Sequence, residues 1–555
     1  MGHRLLQGWM RAAASVLAGA GWLGAMATSI ALAQPTVAPA VAEPLRPAYH
    51  FTPPAHWMND PNGLVYVRGV YHLFYQYNPD ATVWGPMHWG HAVSRDLVHW
   101  HDRPVALSPD AHGAIFSGSA VVDWRNTSGL SRDGRPPLLA IFTYHDAAAE
   151  KAGGLPQSQG LAYSLDAGRT WAKYAGNPVL RPGAGQKDFR DPKVFWHAPT
   201  RSWIMALAVG DHAEFFGSPN LRQWHRLSRF GAGLGPHGGV WECPDLLPLR
   251  VAETGRTKWV LIQSFNPGVP NGGSATQYFV GDFDGRTFTL DPDFARAAGA
   301  TGPRWLDWGR DNYASVAWSD LPKRDGRAIV IGWMNNWDYG QKTPTGSWRS
   351  AMTLPRELSL HWVAGRGYGV RSMPVRELGV LDGHAVTMGA RRLTGDVAVP
   401  LPARVLSQSR VEVAFAVPIG SSQVGIELSN RLGDSYRFVY DAHTKSFISD
   451  RTKSGRVDFA PNFASIDTAP RTAKAHLLRM SFYIDHSSIE AFLDGGETVM
   501  TTALFPRAPY TGLNVFSIGG ASRLFQIRVV PMAGAMHVGA RRYLPEGKPG
   551  GGQRR

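Results

Sequence analysis

The chain is expected to be all-β, with a propeller of radially arranged blades followed by an antiparallel β-sandwich. Three observations predict this. A strand-turn-strand echo recurs in the first two thirds of the 555 residues. Clean period-2 alternation takes over beyond about residue 385. Helical periodicity is scarce outside the N-terminus.

The echo reads WGHAVSRDLVHW at Trp89–Trp100, GLAYSLDAGRTW at Gly160–Trp171, AEFFGSPNLRQW at Ala213–Trp224 and FVGDFDGRTF at Phe279–Phe288. Each copy is an alternating strand, a polar turn with Asp or Asn, and an aromatic start to the next strand. The turns are marked by Ser94, Ser164, Ser218 and Asp282, one every 50 to 70 residues, which is the spacing of propeller blades. A propeller brings motifs far apart in sequence to one axis; unrelated hairpins in a sandwich would not do so readily. Sequence character shifts near Val375–Gly389. Beyond it Val411, Val413 and Phe415 alternate with polar or small residues, as do Val424, Ile426 and Leu428, then Tyr436, Phe438 and Tyr440, and Met480, Phe482 and Ile484. That is the pattern of a sandwich of about 150 residues.

At the N-terminus His3, Arg4 and Arg11 precede an uncharged, Ala- and Gly-rich stretch to Ala31, and Ala31-Leu32-Ala33 fits a peptidase site. Residues 1–33 are expected to be a signal peptide and 34–46 an extended linker. The propeller is expected over 47–375, the sandwich over 385–535 and a flexible basic tail over 536–555. The product would be secreted or periplasmic, with no membrane association after cleavage. A single cysteine, Cys243, excludes an intramolecular disulfide. Net charge is +14, but the basic residues are scattered and no recognition helix is present, so nucleic acid is not an expected partner. No His/Cys cluster or Asp-rich loop asks for a metal, and no cofactor is expected.

Three carboxylate motifs carry the chemistry. Trp57-Met58-Asn59-Asp60-Pro61-Asn62-Gly63 places Asp60 before a proline and a turn-forming Asn-Gly pair, so Asp60 is expected at the mouth of a strand. In Phe189-Arg190-Asp191-Pro192, Asp191 is expected to be extended, with Arg190 keeping it ionised or gripping a hydroxyl. In Trp241-Glu242-Cys243-Pro244, Glu242 lies between an aromatic and the cysteine, partly apolar surroundings that suit a general acid. Singly each is more often structural. Together they read as a glycosidase site, where one carboxylate attacks or activates and another protonates the leaving oxygen.

At these residues the chain resembles glycoside hydrolase family 32, the invertases, exo-inulinases and levanases. The resemblance also rests on Tyr77-Asn78-Pro79, on Trp84 through His91, and on Phe116-Ser117-Gly118-Ser119-Ala120. It continues at Gly332-Trp333-Met334-Asn335-Asn336-Trp337, Trp348 through Glu357, and Asp485-His486-Ser487-Ser488-Ile489-Glu490. It implies five blades, with Asp60 as nucleophile, Glu242 as general acid/base and Asp191 as the residue that grips the sugar hydroxyls. Asn59, Gln76, Trp84, Phe116, Ser117, Arg190 and Trp333 would line the fructose pocket. The implied activity is retaining, exo-acting release of fructose from levan, inulin or sucrose. The alternatives are an invertase acting mainly on sucrose, a related five-bladed glycosidase, and a sugar-binding propeller without catalysis.

Overall fold

The structure is a computed structural model that describes residues 43–402, 405–420 and 422–535. The stretches read as signal peptide and basic tail lie outside the described residues. So does most of the linker, but Glu43–Arg46 is packed: Leu45 is buried and the Arg46 guanidinium donates to Glu43, Thr52 and the Pro53 carbonyl.

Five antiparallel sheets form the propeller. Blade 1 spans His56–Leu107, blade 2 Ala114–Lys173, blade 3 Phe189–Phe230, blade 4 Val240–Leu290 and blade 5 Tyr313–Pro374. The first strand of each packs against the first strand of the next, and that of blade 5 returns to that of blade 1. Closure is made by backbone pairing: Trp348–Arg349 runs parallel to His56–Trp57, and Ser319 exchanges hydrogen bonds with Leu64 and Tyr66. A closed ring leaves no open inner edge.

The echoed sequences all form the hairpin between the third and fourth strands of a blade. Ser94, Ser164 and Ser218 accept backbone N–H bonds within the turn, and Asp96, Asp166 and Asn220 accept two more each. The following Trp100, Trp171 and Trp224 each donate an indole N–H three residues back. The turn requires a left-handed residue, supplied by Leu97, Ala167 and Leu221 at φ 61–65° and by Gly285 in blade 4.

Residues 386–531 form an eleven-stranded antiparallel sheet system folded as a sandwich. The 20-residue strand Gly512–Pro531 pairs with four other strands and links them. The alternating residues Val411 to Phe415, Val424 to Leu428, Tyr436 to Tyr440 and Met480 to Ile484 all enter one core.

The sandwich is joined to the propeller through buried charge. The Asp485 carboxylate accepts from the backbone N–H groups of Ala48, Tyr49 and His50 and lies 2.8 Å from His50 Nδ1. Glu490 lies 3.0 Å from His50 Nε2 and accepts from the Leu354 N–H at 2.7 Å and Arg356 at 2.5 Å. Arg356 also reaches Asp307, and Arg451 of the sandwich reaches Asp311 at 2.7 Å. The hydrogen bonds that its two ring N–H groups donate to these carboxylates outweigh the cost of burial and hold the His50 imidazole protonated, with its pKa raised to about 9.

Removing one member leaves an unpaired buried charge. Glu490→Ala should therefore destabilise the protein by about 3–5 kcal/mol, measured by urea unfolding. Because His50 titrates above its unfolded value of about 6.5, its stabilising contribution is complete below that pH and is lost as pH rises through about 9. The melting temperature should fall over that window, and His50→Gln should flatten this part of the profile.

Candidate active site

Asp60 lies in the first strand of blade 1, His56–Val67. The Pro61-Asn62-Gly63 segment, expected to turn the chain, does not. The strand continues through two register shifts, at Met58/Pro61 and Asn62/Val65. The reason is packing: Gly63 sits at φ 54°, and a Cβ there would come within 2.6 Å of Phe74 and 2.8 Å of Trp89. The bulges redirect Asp60 without ending the strand. Its Oδ2 accepts from Ser117 Oγ at 2.7 Å and its Oδ1 from Asn59 Nδ2 at 3.0 Å. Asn59 is itself held by the Trp57 indole at 2.8 Å. Burial and the nearby Glu242 charge push the Asp60 carboxyl upward; the Ser117, Asn59 and Cys243 hydrogen bonds oppose that.

Asp191 lies in the first strand of blade 3. It is not extended, as its place before Pro192 suggested, but left-handed at φ 63°. A register shift opposite Ala206–Ala208 absorbs the change. The conformation is held from both sides: the Asp191 N–H donates to Thr143 Oγ1, and its Oδ2 accepts the Cys243 N–H, each at 3.0 Å. Burial raises the Asp191 carboxyl, Arg190 opposes this, and Glu242 and Asp60 add to it.

Glu242 comes from the first strand of blade 4, with a register shift directly after it and Cys243 at φ 48°. Its Oε1 accepts from Arg190 Nη2 at 3.1 Å and Nε at 3.3 Å, and its Oε2 accepts the Tyr313 hydroxyl. Its side chain, 20% exposed, is more open than that of Asp191 at 6%. Arg190 lies 3.9 Å from Asp191, where its charge favours the ionised carboxylate as expected, and it makes its hydrogen bonds to Glu242 and, at 2.5 Å, to Asp188.

Cys243 links the cluster. Its Sγ lies 3.5 Å from Asp60 Oδ2 and 3.7 Å from Asp191 Oδ2. Burial, followed by the charges of Asp191, Asp60 and Glu242, drives its thiol pKa far up, so it is a neutral donor.

The remaining pocket residues divide into two groups. Trp84 is 40% exposed and its ring lies 5.9 Å from Phe116, which stacks on His145 at 4.3 Å. These rings form an accessible aromatic wall. Gln76 is buried and donates to the Ile115 carbonyl at 3.0 Å. Trp333 is fully buried among Trp57, Tyr313 and Trp337, and its Nε1 has no hydrogen-bond partner among the described residues. Trp337 is the partly exposed ring of that group. Sequence reasoning missed Tyr313 and Thr143. Tyr313 ends the polar run Arg310-Asp311-Asn312 at the start of a strand, a weak signal that no spacing singles out. Among the described residues no cluster of His, Cys, Asp and Glu has the make-up of a metal site.

A profile described as the glycosyl hydrolases family 32 N-terminal domain matches residues 50–368, and one described as the family 32 C-terminal domain matches 390–531. The levanase of Bacillus subtilis is 43% identical over 493 residues, 88% of this chain and 71% of that protein. An extracellular exo-inulinase of Aspergillus niger is 39% identical over 512 residues, 88% of this chain and 94% of that protein. Among solved structures, the exo-inulinase of Aspergillus awamori superposes with a TM-score of 0.81 at 36% identity, covering 89% of this chain and 99% of that one. A fructofuranosidase of Schwanniomyces occidentalis complexed with fructose gives 0.78 at 30% identity, covering 88% and 99%.

The environment of Cys243 has a direct consequence. In native protein at pH 8 the thiol should react with a disulfide reagent orders of magnitude more slowly than a free cysteine, and at the ordinary rate only in denaturant. Rapid labelling of the native protein would contradict the burial described above.

Proposed function

The chain belongs to glycoside hydrolase family 32, and on that premise we propose that it is an exported, retaining, exo-acting fructan β-fructosidase. It would release fructose from terminal β-fructofuranosyl units of levan or inulin. The observation that carries this reading is the meeting of Asp60, Asp191 and Glu242 from three separate blades around Cys243. The choice of fructan is supported by the relatives named levanase and exo-inulinase.

In the proposed reaction Asp60 is the nucleophile. Ser117 and Asn59 each donate to one of its oxygens, which favours the ionised form and fixes the attacking lone pair. Attack on the anomeric carbon breaks the bond to the leaving oxygen, and Glu242 supplies the proton that oxygen needs. Glu242 then takes a proton from water, whose oxygen displaces Asp60 and releases fructose. Asp191, held by the Cys243 N–H, accepts hydrogen bonds from ring hydroxyls as positive charge develops. Arg190 and Tyr313 orient Glu242. Trp84 and Phe116 offer rings against which the sugar stacks.

The domain limits proposed are a propeller over 47–375 and a sandwich over 385–535, the latter supporting stability and not the chemistry. Export by cleavage after Ala33 is part of the same proposal. Its support is the basic-then-apolar N-terminus and a relative described as extracellular. No helix among the described residues is long and apolar enough to cross a membrane.

Reducing-sugar release from levan, inulin and sucrose tests the substrate. Faster kcat/KM on fructan than on sucrose supports the reading, and turnover of sucrose alone would make the protein an invertase. Asp60→Ala should cut kcat by roughly four to six orders of magnitude while the fold persists. Glu242→Ala should be severely slowed on fructan yet partly recovered on p-nitrophenyl β-fructofuranoside, whose leaving group needs no proton. Near-normal activity of Asp60→Ala would make Asp60 a structural residue only.

A further inference from the structure

The first strands of all five blades begin at the carboxylate end, where Asp60, Ser117, Asp191, Glu242 and Tyr313 lie, and run to the opposite end of the axis. At that opposite end lies a second cavity of about 610 Å³, walled by residues of blades 2 to 5. Lys193 forms its floor. The Lys193 Nζ donates to the Ala317 carbonyl at 2.7 Å and lies 2.9 Å from Asp245 Oδ2. Lys193 and Ala317 also border a space of about 20 Å³ that touches Asp191 and Cys243. The ion pair thus separates the far cavity from the catalytic end.

The far cavity is rich in aromatic surface, with Trp124, Trp196, Trp259 and Phe195 in its wall. Trp124 is 62% exposed, yet its ring is fixed: the indole N–H donates to Asp320 Oδ1, and Asp320 Oδ2 accepts the Val122 N–H, each at 2.8 Å. A large indole held rigidly while open to solvent is a preorganised stacking platform. The Arg125 guanidinium lies 5.0 Å from the centre of the Trp196 ring, and Lys323 is exposed in the same wall. The charges are largely engaged within the protein. Asp123 accepts the N–H groups of Thr127 and Ser128, Asp245 pairs with Lys193, and Arg327 with Asp325 and Glu377. Apolar ring faces beside hydrogen-bond donors, with charge mostly paired off, match a neutral ligand that has both C–H faces and hydroxyls. A cavity of this volume is in the range that takes a small oligosaccharide.

We propose that this cavity is a second carbohydrate site, which holds a segment of fructan away from the end being hydrolysed. The identity of the sugar rests on the functional reading above. The test is affinity electrophoresis through gels containing levan or inulin, with the Asp60→Ala protein compared with the Asp60→Ala, Trp124→Ala double variant. Retardation should weaken roughly three- to tenfold on loss of the ring and should return with Trp124→Phe, which restores a ring but not the bond to Asp320. In the otherwise wild-type enzyme, Trp124→Ala should leave kcat/KM on sucrose or a fructosyl trisaccharide unchanged and raise KM on polymer. Equal retardation of the two proteins, or none of either, overturns the second site. Failure of the wild-type enzyme to release fructose from any of these substrates would instead overturn the functional reading.

Discussion

Three carboxyl groups, those of Asp60, Asp191 and Glu242, meet at one end of the propeller beside the Arg190 guanidinium, and much of the local structure follows from keeping them there. Two unit charges about 4 Å apart repel by about 4 kcal/mol at an effective dielectric constant near 20. The chain offsets this by giving each carboxylate its own donors: Ser117 and Asn59 for Asp60, the Cys243 N–H for Asp191, Arg190 and Tyr313 for Glu242. The geometry requires left-handed backbone at Asp191 and Cys243. Such conformations cost of the order of 1–3 kcal/mol each and persist only where surrounding structure over-determines them. Here that structure is a ring closed by backbone pairing, so no inner strand can relax outward.

What was legible in the sequence is what local chemistry determines. The third-to-fourth-strand turns were readable because Ser followed by Asp or Asn two residues on satisfies the turn's own N–H groups without outside help. The sandwich core was readable because its strands bury one face, and Val411, Val413 and Phe415 must then alternate with polar neighbours. The convergence of Asp60, Asp191 and Glu242 was readable because the repeated strand-turn-strand echo implies a propeller, whose innermost strands meet at one axis. What depended on a neighbouring strand was not readable. Asn62-Gly63 makes a bulge and not a turn because Phe74 and Trp89 pack across Gly63. Asp191 is left-handed because Thr143 and Cys243 hold it so, and the hydrogen bonds of Arg190 to Glu242 join two separate blades. Trp333 is buried behind Trp337, although both belong to one short motif, because only packing decides which ring faces the opening.

The two modules meet through a second set of buried charges with a different purpose. Asp485 and Glu490 stand five residues apart in the sandwich, and both reach into the N-terminal part of the chain, where His50 bridges them. Ion pairs of this kind contribute little net stability over a well-packed apolar contact, but they tolerate few alternative partners. We read the network as fixing the register of sandwich on propeller. It explains why a hairpin with no catalytic carboxylate carries two buried acidic residues, Asp485 at the end of one strand and Glu490 in the next.

The claim on which the functional reading turns is that Asp60 forms a bond to the sugar and that release occurs with two inversions. Running the reaction in the presence of methanol and resolving the anomers of the methyl fructofuranoside by NMR tests this most directly. Attack by Asp60 followed by methanol on the same face from which the aglycone left gives the β-anomer. Formation of the α-anomer as first product would mean a single displacement, and Asp60 could not then be the nucleophile.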